Sequence, residues 1–213
     1  MEDVLDVYEL PYDPLHPQLC FDEKPIQLLG DKLVPIPMKP GKSYKSDYHY
    51  ERKGVCCIFM IVEPLTGWRF AQVRDQKTKL DYAHFVKKVV DKFFPHVEYI
   101  RLVQDNLNTH NPSSFYEAFQ PEEAHRLKNK FEFHSTPVGA SWLNMAEIEL
   151  SALSRQCLNR RISAKHLVAS ELDAWLMERN QEKVKINWTF NTNKARNIFK
   201  EQYGKILKLL ITN

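Results

Sequence analysis

The sequence lacks long apolar runs and is poor in glycine. None of its apolar stretches approaches the roughly 18 residues that cross a lipid bilayer, so we expect no membrane-spanning helix. It has only 6 glycines and no Walker, GxGxxG or GxSxG motif, which excludes the usual nucleotide-binding loops and the hydrolase nucleophile elbow. The acidic N-terminus lacks the basic and apolar regions of a signal peptide. These absences predict a cytoplasmic protein.

The sequence also lacks the cysteine and histidine spacings of a zinc site. Its 4 cysteines form no CxxC pair and its 8 histidines form no HxxxH pair. We therefore expect the cysteines to be small buried side chains. The formal net charge of +3 is compatible with a nucleic-acid partner but is too small to indicate one.

Hydrophobic periodicity predicts an α/β fold with a mixed sheet. The predicted strands are 18–21, 54–62, 68–73, 97–104 and 131–134, and the predicted helices are 78–94, 113–119, 121–129, 144–159, 164–180 and 193–204. Turn residues at 63–67 join the second and third strands as a hairpin. We expect a five-stranded sheet flanked by helices over residues 18–160. A lead-in or linker at 1–17 precedes it, and C-terminal helices at 161–213 pack on the same domain.

Two aspartates follow predicted apolar strands. Asp22 comes directly after strand 18–21, and Asp105 comes directly after strand 97–104. Each is also typical of an ordinary strand-end turn, but the repeated context favours a shared site, because α/β folds carry their sites at strand ends. Carboxylates that meet at one sheet edge suit Mg²⁺, and two such ions can catalyse phosphodiester chemistry.

A third acid is expected at the start of the helix that begins near Asn144. Glu147 lies three residues after Asn144, which is also the spacing of a capping box, so it could serve only to stabilise the helix start. Glu149 is a rival ligand. Both glutamates border the predicted buried stripe of the helix, and the helical wheel does not choose between them.

Three segments carry these acids: CFDEKP at 20–25, QDNLNTH at 104–110 and SWLNMAE at 141–147. In this order they resemble the three catalytic motifs of DDE transposases, in particular those of the bacterial insertion-sequence branch of the mariner superfamily. The resemblance extends from about Tyr8 to Tyr203. Any one of the motifs would be weak evidence, but their ordered combination is specific.

The resemblance implies a ribonuclease-H-like fold and an enzyme that cleaves DNA at transposon ends and transfers the freed strand to target DNA. It implies two Mg²⁺ ions, with Mn²⁺ as a substitute, held by Asp22, Asp105 and Glu147 as the catalytic residues. The family pattern Leu-Asn-x-x-Glu falls on Leu143, Asn144 and Glu147, which favours Glu147 over Glu149. It also implies double-stranded DNA as partner, a homodimer on that DNA, and a cytoplasmic, nucleoid-associated location in a bacterium.

Two features depart from the family pattern. The second and third acids are separated by 41 residues, more than in many relatives, and we expect the excess in the helical stretch 115–130. Relatives also carry N-terminal helix-turn-helix units that recognise transposon ends, and none precedes Asp22 in this sequence. We therefore expect this chain to lack recognition of a specific end.

Basic and aromatic residues alternate in an arm at 35–53, where we expect contacts with DNA phosphates and bases. Alternatively, this segment is a solvated loop without a binding role. A second basic cluster follows the third acid, and it is either a further DNA contact or a solvated helix face. After the second aspartate, Asn106 and His110 match the family pattern and are expected to orient ligands, to touch a phosphate or simply to stabilise the loop. The predicted DNA contacts are Lys39, Lys42, Tyr44, Lys45, Arg52, Lys53, Asn106, His110, Arg155, Arg160 and Arg161.

Two other functions remain open for this sequence. One is a nuclease of the same fold that only hydrolyses DNA and joins no ends. The other is a catalytically silent DNA-binding or assembly module descended from a transposase. The complete set of three acids argues against the silent module.

Overall fold

Five strands form one mixed β-sheet in the order β3-β2-β1-β4-β5 in the computed structural model, which describes residues 1–204. β1 pairs antiparallel with β2 and parallel with β4, β2 pairs antiparallel with β3, and β4 pairs parallel with β5. The strands are β1 Gln18–Asp31, β2 Tyr50–Glu63, β3 Trp68–Arg74, β4 Ile100–Gln104 and β5 Phe131–Ser135. The predicted five-stranded mixed sheet is therefore confirmed.

Helices cover both faces of this sheet, as the α/β pattern predicted. Their bounds are α1 Glu2–Glu9, α2 Lys79–Phe93, α3 Ser113–Ala118, α4 Pro121–Asn129, α5 Met145–Gln156, α6 Lys165–Gln181 and α7 Thr192–Ile198, with a 3₁₀ turn at Ser141–Leu143. Residues of α2, α3 and α4 pack against one face of the sheet. Residues of α1, α5, α6 and α7 pack against the opposite face. Within residues 1–204, none of the helices has the length and apolar character needed to cross a membrane.

Local sequence signals account for the hairpin and for α2. Gly67 closes the β2–β3 turn at φ +78, and a Cβ there would lie 2.6 Å from the Lys183 backbone, so the position requires glycine. Thr78 and Asp81 form a capping box at the start of α2. Pro95 follows the end of this helix, where a residue without a backbone N–H cannot continue it.

β1 is much longer than predicted. It runs on past Asp22 to Asp31, and β2 pairs with it from Cys20–Val62 to Asp31–Tyr50. The prediction that this strand ends at Phe21 is therefore wrong. Pro25 and the polar residues after Phe21 are not typical of a strand, so the pattern did not predict this extension. Proline is tolerated there because β1 does not pair with β4 beyond Cys20.

The predicted linker at 1–17 is wrong for residues 2–9. These residues form α1, whose side chains Val4, Leu5, Val7 and Tyr8 are buried in a cluster with residues of β1, β2, β4, α5 and α7. The amphipathic segment was too short to be recognised from periodicity. At the other end of the chain, residues of α6 and α7 share apolar clusters with residues of the sheet. Residues 205–213 of the predicted C-terminal helices lie outside the described residues.

The four cysteines form no disulfide bond. Cys20, Cys56 and Cys57 are buried in the core, as predicted, and Cys157 is half-buried.

Candidate active site

The parallel pairing of β1 with β4 brings Asp22 and Asp105 to the same edge of the sheet. Cys20 lies opposite Val103, and continuing this register by two residues puts Asp22 alongside Asp105. Neighbouring strands are about 4.8 Å apart. Asp105 follows the last residue of β4, as predicted. Asp22 instead lies within β1, two residues after Cys20, which is the last β1 residue that pairs with β4.

Glu147 reaches this edge from the first turn of α5. Cys20, which shares a face of β1 with Asp22, packs in one cluster with Met145 and Ala146, so Asp22 points toward the start of α5. Asn144 ties the two elements together: its Nδ2 donates to the Phe21 carbonyl oxygen at 2.7 Å, and its Oδ1 accepts from the Ala146 N–H at 3.1 Å.

Burial and neighbouring negative charge change the chemistry of Asp22. Burial is the main cause that raises the pKa of its carboxyl to about 7, and the charges of Glu23, Glu147 and Asp105 raise the pKa further. A hydrogen bond of 2.8 Å from the Glu23 N–H to Asp22 Oδ1 works in the opposite direction. The three predicted acids are therefore close enough to interact electrostatically.

Glu147 and Glu149 have different environments. Glu149 is only 1% exposed and forms ion pairs with Arg179, with an Nη2–Oε1 distance of 2.8 Å, and with Arg69, with an Nε–Oε2 distance of 3.1 Å. Glu147 is exposed, and α5 has no capping box, since the Asn144 N–H donates to the Ser141 carbonyl oxygen instead. Of the two, only Glu147 has a carboxylate available at the sheet edge.

His110 lies beneath the site rather than on its surface. Its Nδ1 lies 2.5 Å from Asp105 Oδ1, and its Nε2 lies 3.0 Å from Glu23 Oε2. Burial disfavours the charged imidazole, but the contacts with Asp105 and Glu23 outweigh burial and raise the pKa of His110 to about 9. Because His110 is only 4% exposed, its ring is not accessible to a DNA phosphate in this structure.

Sequence reasoning missed Glu23. The residue follows Asp22 and therefore points to the opposite face of β1, where its side chain is 3% exposed and also pairs with Lys77 at 3.2 Å. The signal was an acidic residue within a strand, beside Phe21 on the buried face. It was overlooked because β1 was predicted to end at Asp22.

The predicted DNA contacts differ in their accessibility. The arm residues and Asn106 are exposed, and the arm tip is a loop closed by isolated bridges between Ile36 and Lys45 and between Lys39 and Lys42. In the second cluster, Arg155 is exposed at the end of α5 and Arg160 pairs with Glu171. The exposed arm residues are Lys39, Lys42, Tyr44, Lys45, Arg52 and Lys53.

Arg161 has a structural role at the base of the arm. Its Nη1 contacts Asp31 at 2.6 Å, and its guanidinium donates to the backbone carbonyl oxygens of Tyr48 and His49. These bonds hold the two ends of the arm together. They occupy three of the five N–H donors of the guanidinium.

Oxygen ligands for hard divalent ions are present, but they do not converge in this structure. Between residues 1 and 204, no three His, Cys, Asp or Glu side chains approach closely enough to hold one metal ion. Mutual repulsion of the carboxylates opposes closer approach. The donor set nevertheless fits Mg²⁺ or Mn²⁺, since these ions prefer carboxylate oxygens and a cation would offset the burial and the neighbouring negative charges that raise the pKa of Asp22.

A family model described as DDE superfamily endonuclease matches residues 17–168. The chain belongs to this family. The match contains the β1, β4 and α5 motifs, so the three candidate acids lie within the region that matches the family. No curated protein matches its sequence significantly.

Solved structures of the Mos1 mariner transposase share the ribonuclease-H-like fold of this chain. The Mos1 paired-end complex with Mn matches with a TM-score of 0.55 and 16% identity over 86% of this chain and 57% of the Mos1 chain. The Mos1 strand transfer complex matches with a TM-score of 0.55 and 14% identity, covering 89% and 62% of the two chains. The paired-end complex with Mg gives a TM-score of 0.53 and 18% identity, covering 85% and 58%. This chain spans about three fifths of the Mos1 chains.

Proposed function

We propose that this DDE endonuclease is the catalytic core of a transposase, which cleaves DNA in a divalent-metal-dependent reaction and joins the freed 3′ end to target DNA. The observation that supports the proposal is that Asp22, Asp105 and Glu147 lie on the same side of the sheet, near enough for the charges of the other two to act on Asp22. The bacterial insertion-sequence branch stays a prediction from the motifs.

Asp22, Asp105 and Glu147 would hold two Mg²⁺ ions, with Mn²⁺ as a substitute. Such ions neutralise charge on the transferring phosphoryl group and lower the pKa of an attacking water or hydroxyl. The chain contributes the orientation of the acids: β1 and β4 hold the two aspartates side by side, and Asn144 ties the start of α5 to β1. Because Asp22 is partly shielded from water and surrounded by negative charge, it favours a cation over bulk solvent.

Double-stranded DNA is the proposed partner, bound by a homodimer. The structures similar to this chain are described as paired-end and strand transfer complexes of Mos1, one of them with the left transposon end, which supports DNA as the partner. The homodimer stays a prediction from the family resemblance. The exposed lysines of the arm and Asn106, beside Asp105, offer phosphate contacts on this chain.

The test is a nicking and joining assay with Mn²⁺, a supercoiled plasmid and a short duplex that ends in a 3′-hydroxyl. Asp105→Asn and Glu147→Gln are expected to lower both products at least about 1000-fold, because each removes a ligand charge from the reacting centre. Glu122→Gln removes an exposed carboxylate on α4 and should leave both products unchanged. Nicks without joined products would indicate a nuclease that only hydrolyses. Equal activity in all variants would refute the assignment of the acids.

A comparison of Glu147→Gln with Glu149→Gln separates the catalytic glutamate from the structural one. Glu147→Gln should keep the wild-type melting temperature, since the side chain is exposed. Glu149→Gln should lower the free energy of unfolding by about 3 kcal/mol, because it leaves two buried arginine contacts uncompensated. The opposite pattern in thermal denaturation would contradict the choice of Glu147.

A further inference from the structure

A buried three-residue bridge links the two strands that carry the aspartates. The His110 ring lies between Asp105 Oδ1, 2.5 Å from Nδ1, and Glu23 Oε2, 3.0 Å from Nε2. The side chains of His110 and Glu23 are 1% and 3% exposed, while that of Asp105 is 29% exposed. The bridge therefore runs from the interior of the domain to the one carboxylate that reaches the surface.

Several contacts fix the position of the imidazole. The rings of Phe21 and Tyr82 lie 5.0 and 5.1 Å from it, centroid to centroid. The Tyr82 hydroxyl donates to Gln104 Oε1 at 2.7 Å, and Gln104 Nε2 donates to the backbone carbonyl oxygen of His110. Both the ring and its backbone are thus held by buried neighbours on the α2 face of the sheet.

The bridge engages only one oxygen of Asp105. Oδ1 faces His110 Nδ1 and accepts from the Leu107 N–H at 3.4 Å. In the part of the chain that the structure describes, no hydrogen bond uses Oδ2. An inward-facing oxygen that is held while the other stays available is the arrangement by which residues behind metal ligands orient carboxylates.

We propose that His110, itself anchored by Glu23, is a positioning residue that presents the free oxygen of Asp105 to the divalent cation. The inference rests on the proposed function, because it assumes that Asp105 binds the ion. It also gives Glu23 the role of anchoring His110. Side chains alternate along β1, so Asp22 points toward the proposed cation and Glu23 points toward His110 on the opposite face.

Mn²⁺ binding to the full chain, measured by electron paramagnetic resonance without DNA turnover, tests the proposal. His110→Asn keeps a donor near the position of Nδ1, which faces Asp105, whereas His110→Gln keeps a donor near the position of Nε2, which faces Glu23. We expect His110→Gln to weaken Mn²⁺ affinity roughly 10- to 100-fold and His110→Asn to stay closer to wild type. His125→Asn, an exposed histidine on α4, is the matched control and should bind Mn²⁺ normally.

A purely structural role for His110 predicts a different outcome. Both His110 variants would then lower the melting temperature, while Mn²⁺ affinity would stay at the wild-type value, and that result would overturn the proposal. If neither variant folds, Glu23→Gln provides the test: we expect several-fold weaker Mn²⁺ binding, and unchanged affinity would again overturn it. Asp105→Asn separates the two proposals, because wild-type Mn²⁺ affinity in that variant would refute the proposed function itself.

Discussion

Asp22 has opposite effects on stability and on the proposed activity. Burial and the charges of Glu23, Glu147 and Asp105 raise its pKa to about 7, so the folded chain retains a proton that the unfolded chain releases near pH 4. A carboxyl with a raised pKa in the folded state costs stability as the pH rises from about 4 through 7, and the full cost is present above that range. A bound cation would offset this cost.

Asp22→Asn is therefore expected to stabilise the chain in the presence of a metal chelator. The gain should be about 2 kcal/mol at pH 8, which discounts the full pKa shift because part of the carboxyl remains solvated, and it should vanish near pH 4. Urea denaturation at several pH values measures it. Asp173→Asn, on the exposed face of α6, should give no pH-dependent gain. A destabilised Asp22→Asn chain at pH 8 would contradict this account of Asp22.

Asp105 differs from Asp22 in its partners, because it has a buried basic side chain beside it. Asp105 is paired with the buried His110, so its removal leaves a buried imidazole with Glu23 as its remaining carboxylate contact. Breaking such a pair costs stability. Of the two aspartates, only the removal of Asp22 is therefore expected to stabilise the folded chain.

The arm between β1 and β2 is the element best suited to DNA. It extends from the sheet as the tip of the long β1–β2 hairpin, and its lysines Lys39, Lys42 and Lys45 are exposed. Arg161 fixes the base of the arm through Asp31 and two backbone carbonyl oxygens. Because its base is fixed, the arm would hold its exposed lysines in place for the proposed contacts with DNA phosphates.

Replacing Lys39, Lys42 and Lys45 together by glutamine should weaken DNA binding and make it less sensitive to salt. Each lost phosphate contact lowers the slope of log affinity against log salt by about 0.9, so the triple variant should lose up to about 2.7. Fluorescence anisotropy with a labelled duplex at several salt concentrations measures the slope. Replacing Lys88, Lys92 and Lys128 by glutamine removes the same charge from the α2–α4 side and should change the slope little. Equal slopes for the two variants would count against the arm.

The domain as a whole depends on α1, which links the N-terminus to the candidate site. Tyr8 donates through its hydroxyl to the Leu143 carbonyl oxygen at 2.8 Å, just before α5 begins. Glu2 of α1 pairs with Arg196 of α7, with an Nε–Oε1 distance of 2.8 Å. Helices α1 and α7 thus pack together against β1, the strand that carries Asp22.

Leu5→Ala should lower the free energy of unfolding by about 3 kcal/mol, because Leu5 is fully buried and its loss leaves a cavity. Leu10→Ala, at a residue 40% exposed just after α1, should cost less than about 1 kcal/mol. Chemical denaturation of both variants measures the difference. If both substitutions proved neutral, α1 would be a dispensable lead-in rather than a part of the core.

Much of the fold could be predicted because its signals are local. The capping box at Thr78, the hairpin turn at 63–67 and the apolar runs of β2 and β4 each act within a few residues, so periodicity and turn chemistry were enough to locate them. The candidate acids were also found locally, since each occurs in a short motif. Asp105 directly after β4 and Glu147 in the first turn of α5 lie where those motifs predicted.

The remaining features depend on which elements the fold brings together. The length of β1 follows from its pairing with β2, the burial of α1 from the cluster that receives it, and the bridge from Glu23 to His110 from the packing of two segments far apart in sequence. Glu147 and Glu149 differ by about 200° around one helix, and no local rule ranks them. Arg69 on β3 and Arg179 on α6 neutralise Glu149 in the interior and leave Glu147 at the sheet edge, because a buried carboxylate is stable only where the fold provides its partners.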